Sequence, residues 1–257
     1  MNNVLIVGLG VTGSNVRKEL KIFNPDTYDI KNNKNNLIHI AENYNFIFVC
    51  VDTPHTSQSY CDLSAIKDVL TRWKPYLKKS GVFVLKSTVL PGSTEKLIKE
   101  FDCNIVYSPE FYGKTQHCNN YYFNFTILGG NKKDCCKVQQ LLQHCYDGRH
   151  IFKNTDFKTA ELSKYMENCY LAMKVSFCSQ FFKVANDIGV KYEDLRECFI
   201  LDPRINAAHT FIYRDSPFWD SHCLNKDVAA FANTYNAELI KSVMDFNNKQ
   251  KNEYANE

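Results

Sequence analysis

Three glycines near the N-terminus, Gly8, Gly10 and Gly13, fall in the spacing G-x-G-x-x-G. In that pattern the first glycine permits a tight turn, the second lets backbone approach a pyrophosphate, and the third allows a helix to pack closely. With Val11 and Thr12 completing the turn, the chemistry is the binding of a dinucleotide whose phosphates rest on a helix N-terminus. Asp29 follows Gly8 by 21 positions, where a carboxylate accepts hydrogen bonds from an adenosine ribose and favours NAD over NADP. Asp26 competes for that role, and a solvated loop aspartate is the plainer reading. Lys164 and Asn168 stand four apart, so a helix there projects both from one face, able to donate hydrogen bonds to a developing oxyanion. An ordinary solvated helix face carries the same pattern.

These residues need elements to hold them. Residues 3–7 (NVLIV) read as a strand that ends at the glycines, with a helix from Ser14 to Leu20 behind them. A weak strand at 27–30, the polar tract KNNKNN, and buried parallel strands at 45–51 and 82–86 follow. A helix at 62–77, with Asp62 as its N-cap and Gly81 as its stop, lies between the last two. Short strands at 104–107 and 125–128 complete the alternation, which predicts an α/β fold: a Rossmann-like, doubly wound parallel sheet. From Thr159 to Ile188 apolar and small residues recur at helical spacing without Gly or Pro, which implies one long helix. Further helices are expected at 192–199 and 228–248. The predicted organisation is a dinucleotide-binding domain over 1–155, a small all-helical domain over 156–250, and a frayed tail over 251–257.

Composition narrows the partners. The chain has 257 residues, room for two domains, and its 44% hydrophobic and 23% charged content predicts a folded core rather than disorder. Its 31 basic residues form no run, which argues against nucleic acid as a partner. No apolar stretch of membrane-spanning length and no basic region before the N-terminal apolar run are present, so no membrane association and a cytoplasmic location are expected. The 11 cysteines are odd in number, so free thiols are a better reading than a disulfide framework. No paired C-x-x-C motifs occur, and no metal site is predicted.

Together with the glycine turn, five segments resemble the UDP-glucose/GDP-mannose dehydrogenase family in order and approximate spacing. They are VDTP (51–54), KSTVLPGST (86–94), YSPEF (107–111), ELSKYMENCYLAMKVSF (161–177) and CLNKD (223–227). The resemblance implies an NAD-dependent oxidoreductase of polysaccharide biosynthesis that oxidises the primary alcohol of a nucleotide sugar, a UDP-sugar in the first instance, to a uronic acid. By that resemblance Cys223 is the nucleophile that captures the intermediate aldehyde as a thiohemiacetal and then a thioester. Lys226 is placed to favour its thiolate and to touch the cofactor. Lys164 and Asn168 become oxyanion donors and substrate ligands, and Glu110 an acid or base that also meets substrate. Asp227 orients water or a neighbouring base, and Thr88 helps position that water. Arg204 resembles an arginine that reaches substrate across a dimer, with a surface salt bridge as the alternative. Thr53, Pro54 and Thr88 lie at strand ends where the cofactor crosses the sheet.

Family members look like three-part proteins, with a cofactor domain, a helical domain that makes a homodimer, and a domain that grips the nucleotide. Here the chain stops after the second part, so the resemblance implies a form without the third, its place left empty or supplied by a separate chain. The segment between Asp29 and Phe46 is shorter than in relatives. Where the family carries G-F-G-G-x-C, this chain reads Phe218, Trp219, Asp220, Ser221, His222, Cys223. That departure favours a second reading, an NAD-binding but non-catalytic or regulatory homologue. It puts the bulky Phe218 and Trp219 either in the space of a sugar or in the wall for a different alcohol.

Overall fold

The computed structural model describes residues 3–32, 43–56, 61–112 and 123–255. The polar tract at 33–36 and Cys118 lie outside them. The described residues form two compact units, one of those up to Lys164 and one of those from Tyr165 onward, and the division falls inside a helix.

The first unit is built on a seven-stranded sheet. Its strands are β1 (Val4–Val7), β2 (Asp26–Tyr28), β3 (Tyr44–Val49), β4 (Leu77–Leu85), β5 (Ile105–Tyr107), β6 (Phe125–Gly129) and β7 (Ile151–Thr155), in the order β2-β1-β3-β4-β5-β6-β7. All neighbours are parallel except β5 and β6, which run antiparallel. Period-2 alternation sends side chains to two buried faces. Leu5, Val7, Ile47, Val49, Phe83 and Leu85 pack on one side against α2 (Ser64–Trp73) through Ile66, Val69 and Trp73. Val4, Ile6, Phe46, Phe48, Val82 and Val84 pack on the other against α1 (Val11–Glu19) and α4 (Lys132–Gln143), through Val16, Val138 and Leu141. With both faces covered, continuous apolar strands are the expected signature, and the doubly wound architecture holds.

Several boundaries differ from expectation, each for a local reason. Helix α1 starts at Val11 rather than Ser14 because Gly13 lies inside its first turn, where a Cβ would sit 1.8 Å from the Gly8 carbonyl oxygen. Gly81 stops no helix: α2 ends at Trp73, and Gly81 lies within β4, where the pairing register jumps from Tyr44–Leu77 to Phe46–Val82. A glycine at such a bulge avoids the clash its Cβ would make with Leu77, at 2.7 Å. Asp62 is not the N-cap: that position falls to Leu63, which makes no side-chain cap bond, and the Asp62 carboxylate, one residue earlier, accepts from the Ser64 amide at 2.9 Å. Helix α3 (Ser93–Phe101), helix α4 and strand β7 were not anticipated.

The second unit is helical. Helix α5 (Phe157–Asp187) enters it, followed by α6 (Tyr192–Phe199), α7 (His222–Thr234) and α8 (Glu238–Ala255). Gly189, at φ +75°, ends α5, with Val190 N–H donating back to the Ala185 carbonyl at 2.8 Å. The single helix expected over 228–248 is two helices. Asn236 adopts φ +48°, and the Ala237 amide reaches the Ala232 carbonyl at 3.1 Å, closing α7 before α8 begins. Nor does the chain fray at residue 251. Helix α8 continues to Ala255, its last turns held by Glu253, which pairs with Lys183 at 3.1 Å and accepts from Gln250. Cys169, Ala172, Trp219 and Val228 form one buried core of this unit, and Cys178, Phe182, Tyr192 and Ile212 another. Among the described residues no helix is long and apolar enough to cross a membrane.

Candidate active site

The glycine turn joins β1 to α1. Gly8 takes φ +90°, and a Cβ there would meet the Cys50 carbonyl oxygen at 2.5 Å, so only glycine fits. Around Gly10, by contrast, an added Cβ meets nothing within 4 Å. Helix α1 begins at the next residue with no side-chain cap, so the amides of Val11, Thr12 and Gly13 are the orphan donors of a helix N-terminus. An open backbone approach at Gly10 beside those donors suits a pyrophosphate, and the residues present fit a dinucleotide. Asp29, just past β2, accepts the Leu9 amide on one carboxylate oxygen at 2.7 Å and the Lys31 amide on the other at 2.9 Å. The structure thus brings Asp29, not Asp26, to the turn; Asp26 is held by the Tyr44 hydroxyl at 2.7 Å. Four acceptor positions on a carboxylate leave Asp29 capacity for a ribose.

The carboxyl ends of β3, β4 and β5 carry the next group. After β3, the buried Thr53 hydroxyl donates to the Thr88 carbonyl at 2.7 Å, joining two of the expected strand-end residues, while exposed Pro54 accepts the Asp62 amide. After β4, Lys86 is buried and meets Glu110, which follows β5, at 2.5 Å. Burial alone would push the Lys86 ammonium down, but Glu110 and Glu19 outweigh it and hold the group above its ordinary range. Lys164 is buried on α5, with its ammonium 4.7 Å from the centre of the Phe111 ring, next in sequence to Glu110.

In the helical unit, Asn168 on α5 donates to the Asp227 carboxylate on α7 at 2.7 Å, both side chains buried. The other Asp227 oxygen takes the Lys226 ammonium at 2.5 Å, so Lys226 is engaged with Asp227. Cys223 is the second residue of α7, one turn before Asp227, and is exposed. The Ser221 hydroxyl caps that helix by accepting from the Leu224 amide. Four other thiols are disfavoured as thiolates: burial pushes Cys103 and Cys135 up to about 11, and Cys145 and Cys169 up to about 12, with Asp227 adding to the effect at Cys169. Arg204 is not gathered with these residues. It forms an exposed pair with Asp202, two positions before it, at 2.6 Å.

Three residues were given no role by the sequence reading. Lys86 was visible as a charge at the end of an apolar strand and as the first residue of KSTVLPGST, and Glu161 as the first residue of ELSKYMEN. Glu161, fully buried on α5, accepts from the Gly92 and Thr94 amides at 2.5 and 2.8 Å and from the Thr94 hydroxyl, capping α3 from outside. Asn247 on α8 holds Trp219. Both contacts are long-range in sequence, which is why spacing does not reveal them.

Residues 28–149 match the family model for the UDP-glucose/GDP-mannose dehydrogenase family, NAD binding domain, and residues 158–249 match the central domain of the same family. The chain is 29% identical over 227 residues to a UDP-N-acetyl-D-mannosamine dehydrogenase of Methanococcus vannielii, covering 85% of this chain and 52% of that protein. It is 28% identical over 217 residues to a UDP-glucose 6-dehydrogenase of Rickettsia prowazekii, covering 80% and 49%. The chain therefore spans about half the length of the curated relatives it matches. Its fold is that of a UDP-glucose dehydrogenase from Pyrobaculum islandicum, with TM-score 0.81 at 18% identity over 97% of this chain and 68% of that one.

Proposed function

The chain belongs to the UDP-glucose/GDP-mannose dehydrogenase family, carrying its NAD binding and central domains, and from that premise we propose that it oxidises the C6 primary alcohol of a UDP-glucose-like nucleotide sugar to a uronic acid. The names of its relatives support a UDP-sugar as substrate. One observation carries the reading: the Asn168–Asp227 hydrogen bond, 2.7 Å long and buried, ties the segment ELSKYMEN to the segment CLNKD. Two short motifs far apart in sequence thus converge on one polar contact one helical turn from Cys223.

NAD, when held by Gly8, Gly10, Val11, Thr12 and Gly13 with Asp29 at the ribose and Thr53, Pro54, Thr88 and Lys226 alongside, supplies the hydride acceptor. The proposed roles fall in both units. Once the alcohol has become an aldehyde, the Cys223 thiolate adds to its carbon, forming a C–S bond and leaving negative charge on the oxygen. Lys164 and Asn168 donate hydrogen bonds to that oxygen. Oxidation of the thiohemiacetal carbon restores the C=O as a thioester. Glu110 then takes a proton from water oriented by Thr88 and Asp227. Hydroxide adds, the C–S bond breaks, and Cys223 is regenerated as the acid departs. Arg204 is assigned to the substrate of a partner subunit in a homodimer, where a bidentate fork suits phosphate or hydroxyl pairs.

The test is NADH formation with NAD and a panel of UDP- and GDP-sugars, run beside Cys223→Ser. Two NADH per sugar, abolished by the substitution, is the expected result for a thioester route. Unchanged turnover by Cys223→Ser sinks the mechanism, and NAD binding without turnover is the outcome the non-catalytic reading predicts.

A further inference from the structure

The segment that leads into Cys223 is fastened residue by residue, and its anchor is a buried amide. Asn247 is 1% exposed. Its Oδ1 accepts the Trp219 backbone N–H at 2.9 Å, and its Nδ2 donates to the Trp219 carbonyl at 3.0 Å. One side chain thereby satisfies both backbone groups of a residue outside any helix or strand, as a neighbouring strand would. The Trp219 indole is 5% exposed, donates to the Ser176 hydroxyl at 3.0 Å, and packs with Cys169, Ala172 and Val228. Asp220, the next residue, accepts from Asn225 at 2.7 Å and from Lys251 at 2.5 Å, and Ser221 caps α7.

We infer that Asn247 is a positioning residue that, by clamping the backbone at Trp219, fixes the start of α7 and so the place of Cys223. The inference rests on the reading of Cys223 as the nucleophile. The buried tryptophan gives the loop a rigid post, and the amide sets the register of the backbone on it. At position 247 the amide has two backbone partners that no other described residue meets.

The experiment compares the full chain with Asn247→Leu and Ser176→Ala. Ser176→Ala removes a buried polar tie of the same tryptophan but leaves its backbone pair, so it controls for general loss of core stability. Asn247→Leu is expected to lower kcat by about 100-fold, the scale of a small misplacement of a reacting group. Its KM for NAD should stay within about twofold, because uniform binding is untouched. Ser176→Ala is expected to keep kcat despite a lower melting temperature. Should Asn247→Leu fail to fold, Asn247→Asp keeps the acceptor for the Trp219 N–H, loses the donor to its carbonyl, and is expected to fall between the two. A folded Asn247 variant with full kcat overturns the inference. If the unaltered chain makes no NADH with any sugar tried, the functional reading fails, and amide exchange then judges the clamp alone. Residues 218–224 should exchange about tenfold faster in Asn247→Leu, with α5 unchanged, and equal protection there overturns it.

Discussion

A lysine ammonium at the end of an apolar strand survives only where carboxylates meet it, and Lys86 meets Glu110 at 2.5 Å with Glu19 adding its field. Removing one partner from such a pair leaves the other charge stranded, so Lys86→Met should cost about 3–5 kcal/mol in urea unfolding at neutral pH. Lys86→Met combined with Glu110→Leu should recover most of that loss, because neither member of the pair is then left without its partner. The pH dependence has a definite sign. The folded chain holds the Lys86 proton more tightly than the unfolded chain does, so the stabilisation is complete below the ordinary lysine value of 10.5. It is lost as pH rises through the still higher folded value. The difference in unfolding free energy between the unaltered chain and Lys86→Met should therefore be level at neutral pH and shrink only in strong alkali. A difference that shrinks between pH 7 and 9 would place the effect on some other group.

At the scale of elements, the turn between β1 and α1 shows what spacing alone can read. Gly8 and Gly13 were legible because their requirements are local: a positive φ at one, and at the other a helix packed so tightly that a Cβ would stand 1.8 Å from the Gly8 oxygen. Gly13→Ala must push α1 away from β1. It should abolish NAD binding in calorimetric titration and lower the melting temperature, whereas Gly10→Ala, with open space around it, should keep the melting temperature and weaken NAD binding alone. If Gly13→Ala binds NAD normally, the turn is not the phosphate cradle. Other elements were illegible for stated reasons. Gly81 resembles a helix stop until its strand's register is known, and the break between α7 and α8 turns on Asn236, a residue that occupies the left-handed region without announcing it. The start of α3 depends on Glu161, 67 positions from Thr94. Of the proposed catalytic set, motif resemblance supplied the residues, and only the structure shows Asp227 held by Asn168 while Arg204 pairs with Asp202.

For the molecule as a whole, the question left by α5 is what covers its outer face. Met166, Tyr170, Phe177, Phe181 and Val184 recur at intervals of three, four and seven along the helix and are all exposed, Met166 at 74% and Phe177 at 51%. Phe177 packs on Phe181 and on Phe199 of α6, so the stripe widens into a patch. A contiguous apolar surface of this kind on a folded chain marks an interaction site. A helix presenting it along its length favours an isologous contact, in which the same face meets itself across a two-fold axis. This is the support for the homodimer proposed above. Sedimentation equilibrium should then give about twice the chain mass of 29.8 kDa at micromolar concentration. Phe177→Glu with Phe181→Glu should return it to the mass of one chain while helical dichroism is retained, since both side chains face outward and neither belongs to a core. A monomer in the unaltered chain would remove the dimer and with it the role given to Arg204. A dimer indifferent to the double substitution would keep the assembly but move its interface off α5.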